Sequence, residues 1–260
     1  MTTIAVLGLG EAGRLYARGL RDAGVDVRGY DPSRPLHDPL VLQVDGLAEA
    51  VAGSDVVLSL VGAGPAESVA ADALAQVPAA SVYADLNTGS PELKHRIAGI
   101  AESRGVRMAD VAVLAPVPRA GLRTPLLASG PGAEALAATL APLGVPIDTL
   151  QGEPGEAARL KLLRSAFMKG LAALVLEGVG AARALGAESW LRDQIAGELA
   201  HGGDALVDRL LEGTVRHAAR REQEVRDALA ALDATGEPAD MARATLVWFE
   251  RLVAKAGSAR

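Results

Sequence analysis

Cysteine is absent from the 260 residues, which removes disulfides, thiolate nucleophiles, thiolate zinc sites and iron–sulfur clusters together. The composition permits a reducing compartment, and a cytoplasmic location is expected. Histidine occurs only at His37, His95, His201 and His217, scattered and without H-E-x-x-H or similar spacing, so no metal is expected. Aromatic residues make up 3% of the chain, and Lys+Arg 26 against Asp+Glu 32 leaves a formal charge of −6. No basic run or aromatic-interleaved patch tracks a phosphate backbone, so nucleic acid is not an expected partner. Every apolar stretch is broken by a charged residue before about 18 positions. The opening Met1-Thr2-Thr3-Ile4-Ala5-Val6 carries no basic segment or cleavage signal, so neither a membrane partner nor export is expected.

What is present is apolar. Hydrophobic residues are 50% and charged ones 22%, enough to build a substantial core and too many to leave the chain disordered. At about 150 residues per domain the length suits two domains. Residues 4–8 form a short unbroken apolar run, the pattern of a strand buried on both faces of a parallel sheet. The run leads directly into Gly8-Leu9-Gly10-Glu11-Ala12-Gly13. A helix should follow, ending near Gly24, and residues 25–30 then read as a second strand closing on Asp31.

An isolated GxGxxG is most often an ordinary turn. Here it follows a strand, opens a helix, sits in a unit of about thirty residues and has an acid about 20 residues further on. The combination predicts dinucleotide binding. Gly8 permits the tight turn, Gly10 lets backbone approach a pyrophosphate, and Gly13 lets helix and strand pack closely. Leu9, Glu11 and Ala12 complete the turn, with free amides at the helix start meeting the phosphates. The Glu11 carboxylate should point to solvent. Asp31 is placed to accept from ribose hydroxyls, as NAD requires, whereas Ser33 and Arg34 offer a hydroxyl and a guanidinium to the 2′-phosphate of NADP. Both cofactors remain open on these residues.

The alternation continues with strands at residues 56–61, 81–86, 106–114 and 145–150, and helices at 66–75, 92–103 and 133–143. Leu60 and Val61, ending the first of these strands, are expected cofactor contacts. Asp85-Leu86-Asn87-Thr88-Gly89-Ser90-Pro91 collects polar groups at a carboxyl-terminal strand edge. Ligands of open α/β sheets sit beyond such edges, so Asn87 and Thr88 are candidates to reach a nicotinamide or a substrate. A plain turn with a helix cap is the competing reading.

From Gly152 onward, turn signals give way to long Ala-, Leu-, Arg- and Glu-rich stretches with helical spacing. The expected architecture is α/β: an N-terminal Rossmann dinucleotide-binding domain (1–152), then an all-α C-terminal domain (153–260), joined through a long interdomain helix. That helix should run about 30 residues, or ~45 Å, from Glu156. On its 3.6-residue period Lys161, Arg164, Ser165 and Met168 share a face. Lys161 and Arg164 can converge on one anion, although a snorkelling surface lysine satisfies the same pattern. Lysine occurs only at Lys94, Lys161, Lys169 and Lys255.

Four blocks together resemble the β-hydroxyacid dehydrogenases, grouped with 6-phosphogluconate dehydrogenase and the imine reductases. They are residues 6–13, residues 85–91, residues 110–119, and Gly155-Glu156-Ala157-Ala158-Arg159-Leu160-Lys161. The first is similar to the family's cofactor turn and the second to its D-x-S-T-x-x-P segment beside the nicotinamide. The fourth matches a glycine followed six residues later by the catalytic lysine, so the resemblance implies that Lys161 is the general acid/base. The third block departs: where the family has D-A-P-V-S-G-G, this chain reads Asp110-Val111-Ala112-Val113-Leu114-Ala115-Pro116, with Leu114 in place of the serine. Arg164 stands where the family usually has asparagine.

The resemblance implies hydride transfer between nicotinamide and a small hydroxy or keto substrate. Imine reduction and a non-catalytic dinucleotide sensor are the alternatives. Lysine suits proton transfer only if its pKa of about 10.4 is drawn down towards 7 or 8, and burial beside cationic Arg164 would act in that direction. Arg119 and Arg123, in the loop replacing the serine-glycine-glycine segment, are candidates to hold an anionic substrate; a solvated loop is the other reading. Trp190, Trp248 and Phe249 fall in the helical half, where aromatic anchors fill cores or subunit interfaces. A helical domain of this size, and the family resemblance, imply a homodimer.

Overall fold

Strands form where short apolar runs are bounded by glycine or polar turns, and helices fill the Ala- and Leu-rich stretches between them. In the computed structural model the described residues are 2–35, 38–39, 41–200 and 203–258; His37 and His201 lie outside them. The chain divides into two compact units, residues 1–164 and 165–260.

The first unit opens with β1 (Thr3–Leu7), α1 (Glu11–Asp22), β2 (Asp26–Tyr30), β3 (Leu42–Gln43) and α2 (Leu47–Val51). It continues through β4 (Val56–Ser59), α3 (Ala66–Leu74), β5 (Val82–Asp85), α4 (Pro91–Ser103) and β6 (Arg107–Val113). Then come α5 (Val117–Ala120), β7 (Leu126–Ser129), α6 (Ala133–Leu140) and β8 (Ile147–Thr149). The eight strands form one sheet in the order β3-β2-β1-β4-β5-β6-β7-β8. Its first six strands are parallel, as the Rossmann pattern implied, and β7 pairs antiparallel with β6. Residues 114–125 hold only α5 and one 3-10 turn, so the chain doubles back without a full crossover helix. Neither β3 nor β7 follows from the sequence pattern above.

Alternate residues of β1 feed two separate cores. Ile4 and Val6 pack with Tyr16 and Leu20 of α1, whereas Ala5 and Leu7 pack with Val57, Leu74, Tyr83 and Ile97 on the opposite face. This is the two-sided burial that a continuous apolar strand requires. The order reverses at β1, whose carboxyl end lies beside that of β4, so the sheet's switch-point crevice opens at Gly8.

Helix α7 (Glu156–Ala184) is 29 residues long and belongs to both units. The second unit continues with α8 (Glu188–Ala200), α9 (Gly203–Arg216), α10 (Ala218–Asp233) and α11 (Asp240–Ser258). It is helical throughout its described residues, as expected. Among the described residues α7 is the helix long and apolar enough to cross a membrane by length and composition, with a mean hydropathy of 1.3 over its best window. Lys169 and Glu177 interrupt it. The Glu177 carboxylate is committed to protein: its two oxygens accept from the amides of Met241 (2.6 Å) and Ala242 (2.8 Å), satisfying two orphan donors in the first turn of α11.

Candidate active site

The glycine turn is dictated by contacts that no larger residue tolerates. Gly8 has φ +87°, and a Cβ there would stand 2.6 Å from the Leu60 carbonyl oxygen. A Cβ on Gly13 would stand 1.8 Å from the Gly8 oxygen, so α1 can approach β1 only with glycine at that point. Around Gly10 the corresponding space is open. The first bond of α1 runs from the Arg14 amide to the Gly10 oxygen, leaving the preceding amides without intrahelical acceptors. The Glu11 side chain is exposed and Ala12 is half-buried. Open space over unsatisfied amides fits a pyrophosphate. The Leu9 side chain turns away, burying itself against Gly29.

At the end of β2, Asp31 is held by two backbone donors, the Leu9 amide to Oδ2 and the Ser33 amide to Oδ1, each at 2.9 Å. Beside it lies a cleft of about 540 Å³ whose lining includes Gly8, Asp31, Ser33, Arg34, Val61 and Pro65. Five expected cofactor residues therefore meet in one cleft that fits the adenosine half of a dinucleotide. Leu60 is half-buried and contributes its backbone, closing over Gly8. Ser33 and Arg34 are exposed.

The second group lies at the ends of β5 and β6. Asn87 is buried, and its amide serves the protein: Oδ1 accepts from the Gly62 amide at 2.7 Å, and Nδ2 donates to Ser59 Oγ at 3.0 Å and to Asp85 Oδ1. It braces the turn that follows β4, whereas its neighbour Thr88 meets the lysine. Lys161 Nζ donates to Thr88 Oγ1 at 3.1 Å. The two flank a recess that also includes Gly89, Asp110, Val111 and Ala158.

Lys161 is half-buried. Burial holds its proton affinity below that of an ordinary lysine; the nearby cation of Lys94 adds to the lowering, and Asp110 and Asp85 oppose it. The cation acting on Lys161 is thus Lys94 on α4, in place of the expected Arg164. Arg164 is exposed, and the Ser165 hydroxyl accepts from the Lys169 amine. Arg119 and Arg123 are also exposed and stand outside the lining of the Lys161 recess. Their loop packs on α1, with Leu122 seated where Gly19 leaves room.

Sequence reasoning missed Lys94 and the reason for Asp110. Lys94 is 1% exposed and shares the inner face of α4 with Ile97 and Ala101. A lysine at a core position of an amphipathic helix, three residues after the Pro91 start, was the available signal.

A glycine turn over a helix start with an acid at the end of the second strand is the arrangement of a dinucleotide-binding domain. Residues 3–142 match the NAD binding domain of 6-phosphogluconate dehydrogenase, and the chain belongs to that family. Residues 182–252 match a domain of unknown function. The cofactor is NAD or NADP. An uncharacterized 28.5 kDa protein of Methanothermus fervidus is 32% identical over 181 residues, 68% of this chain and 67% of the relative. A probable 3-hydroxyisobutyrate dehydrogenase of Mycobacterium tuberculosis is 34% identical over 131 residues, 48% of this chain and 44% of the relative. The match therefore spans less than half of that mycobacterial protein. A reductive aminase from Aspergillus terreus, solved with NADPH and ethyl-5-oxohexanoate, superposes with a TM-score of 0.80 at 20% identity, covering 98% of this chain and 94% of that one. At that identity the likeness is one of fold.

Proposed function

We propose that the protein is an NAD(P)-dependent oxidoreductase acting on a small hydroxy or keto substrate, with Lys161 as general acid/base. The observation that carries this reading is the Lys161 amine, half-buried at the β5 edge, bonded to Thr88 and lowered in proton affinity. NAD(P) held at the glycine turn and Asp31 would supply the hydride chemistry. In oxidation the neutral Lys161 amine takes the hydroxyl proton as the carbon loses hydride; in reduction the ammonium returns it to the carbonyl oxygen. Thr88 accepts from the amine and fixes its direction. For an anionic substrate, Arg164, three residues beyond Lys161 on the same helix face, is the proposed cation. A C=N substrate would use the same proton path and is the second reading, favoured by the apolar Leu114 in place of a carboxylate-binding serine.

A second copy of the chain is part of the proposal. Helices α8 and α9 bury none of their described residues, and Leu176, Leu185, Trp190 and Leu211 are each at least 63% exposed. A two-fold partner would cover such faces. Molar mass by light scattering tests this, and a monomer at micromolar concentration rejects it.

Activity is tested by following reduced-nicotinamide absorbance with both cofactors and a panel of hydroxy acids, keto acids and cyclic imines. Wild type should turn over one class, and Lys161→Ala should lose about 10²–10⁴-fold while cofactor affinity is kept. Equal turnover by both proteins rejects the role of Lys161. Cofactor binding without turnover of any class favours the sensor. Oxidation requires the neutral amine, so its rate should rise with pH through a midpoint below the ordinary lysine range, and reduction should fall through the same region.

A further inference from the structure

Lys94 Nζ lies 2.9 Å from the Asp85 carbonyl oxygen, 2.9 Å from Asp85 Oδ2 and 2.8 Å from the Asn87 carbonyl oxygen, and it pairs with Asp110 Oδ1 at 3.1 Å. All three charged side chains are at most 1% exposed. The other Asp110 oxygen accepts from the amides of Gly155 (3.0 Å) and Ala158 (2.9 Å), the opening of α7. Ser129 Oγ, 3.5 Å from the same oxygen, accepts from the Ala157 amide at 3.1 Å. One cation thus faces two carboxylates, and the second negative charge rests on the amides and dipole of a helix start.

Buried ion pairs seldom stabilise a fold more than well-packed apolar residues of the same volume. What this one does is geometric. The cation that holds the Asn87 carbonyl fixes the backbone next to Thr88. The carboxylate paired with it holds the Ala158 amide, three residues and one helical turn from Lys161. The Lys161–Thr88 bond closes the circuit, running from α4 through β5 and β6 to α7 and back.

We propose that Lys94 and Asp110 are positioning residues, a buried bracket that pins the start of α7 to the ends of β5 and β6 and so sets the Lys161 amine against Thr88. The inference rests on the reading of Lys161 as the proton-transfer group, but its test does not need a substrate.

With only four lysines in the chain, ¹³Cε-lysine NMR of the full-length protein follows Lys161 directly, assigned by the resonance lost in Lys161→Ala. Asp85, Lys94 and Asp110 are the charged groups acting on it. Asp110→Ala removes the acceptor of the α7 amides. Lys161 then gains water, which raises its titration midpoint against the fall that loss of the Asp110 charge causes, and amide exchange at Gly155 and Ala158 should accelerate at least about tenfold. Asp110→Asn keeps an oxygen for those amides but deletes the charge, so protection should persist and the midpoint should fall. Because both variants lose the same charge, a higher Lys161 midpoint in the alanine variant than in the asparagine variant, with exchange accelerated in alanine alone, is the expected result. If the alanine variant does not fold, Asp110→Ser, which keeps a polar group beside Lys94 but is shorter toward the α7 amides, is compared with the asparagine variant in its place. Equal Lys161 midpoints in the two folded variants, or unchanged exchange at Gly155 and Ala158 in the shortened variant, overturn the proposal. NAD(P) affinity within about twofold of wild type in the same samples separates this outcome from loss of the cofactor site.

Discussion

The sheet core of the first unit and the helices of the second treat their large apolar residues in opposite ways. In residues 1–164 Ile4, Leu7, Leu20, Leu58, Tyr83 and Met108 are at most 1% exposed, and glycines are placed where a single methyl group would collide with backbone. In residues 165–260 Leu176, Leu185, Trp190, Leu211 and Trp248 stand open; the Arg251 guanidinium lies over the Trp248 ring at 5.6 Å. The difference teaches that the sheet unit is complete in its own core, whereas the helices carry surface that one chain does not use. The first unit should therefore respond to substitution in stability and ligand binding, and the second, on the two-fold partner proposed above, in association.

Gly13→Ala should have the largest effect, because the contact it creates is with the backbone of the turn itself; calorimetric titration should find NAD(P) affinity abolished or the fold lost. Lys94→Met leaves Asp85 and Asp110 buried without their cation and should cost about 3–5 kcal/mol in urea unfolding. A matched pair then sets the units against each other. Leu20→Ala in the sheet core should cost about 2–5 kcal/mol, whereas Leu211→Ala should change the unfolding of dilute protein by under about 0.5 kcal/mol and show instead as weakened self-association by light scattering. A large unfolding cost at Leu211 would break the contrast. Cofactor choice should shift by less than the core substitution costs: Arg34→Ala should weaken NADP more than NAD, and Asp31→Ala should do the reverse, each by about 1–2 kcal/mol in fluorescence titration.

Much of this was legible in the sequence because the signals were local. A continuous apolar run, a glycine turn and an acid about 20 residues on specify β1, α1 and β2 without reference to the rest of the chain, and the helix starting at Glu156 follows from spacing alone. The antiparallel β7 was hidden because four residues after a turn carry no direction; its partner on β6 does. The Arg119–Arg123 loop reads as available for substrate, yet it is Leu122, filling the gap at Gly19, that places it on α1. Lys94 was hidden for a related reason. A lysine in a helix is ordinary until the strands beneath it are seen to present two carboxylates and two carbonyl oxygens.

The two amides that hold Asp31 bear on affinity. A free aspartate gives up rotamer freedom when a ligand captures it, at about 0.5–1.5 kcal/mol for an immobilised side chain. Here the Leu9 and Ser33 amides have already fixed the carboxylate, so that entropy is surrendered during folding, and ribose hydroxyls that used it as the sequence expectation has it would meet a preorganised acceptor.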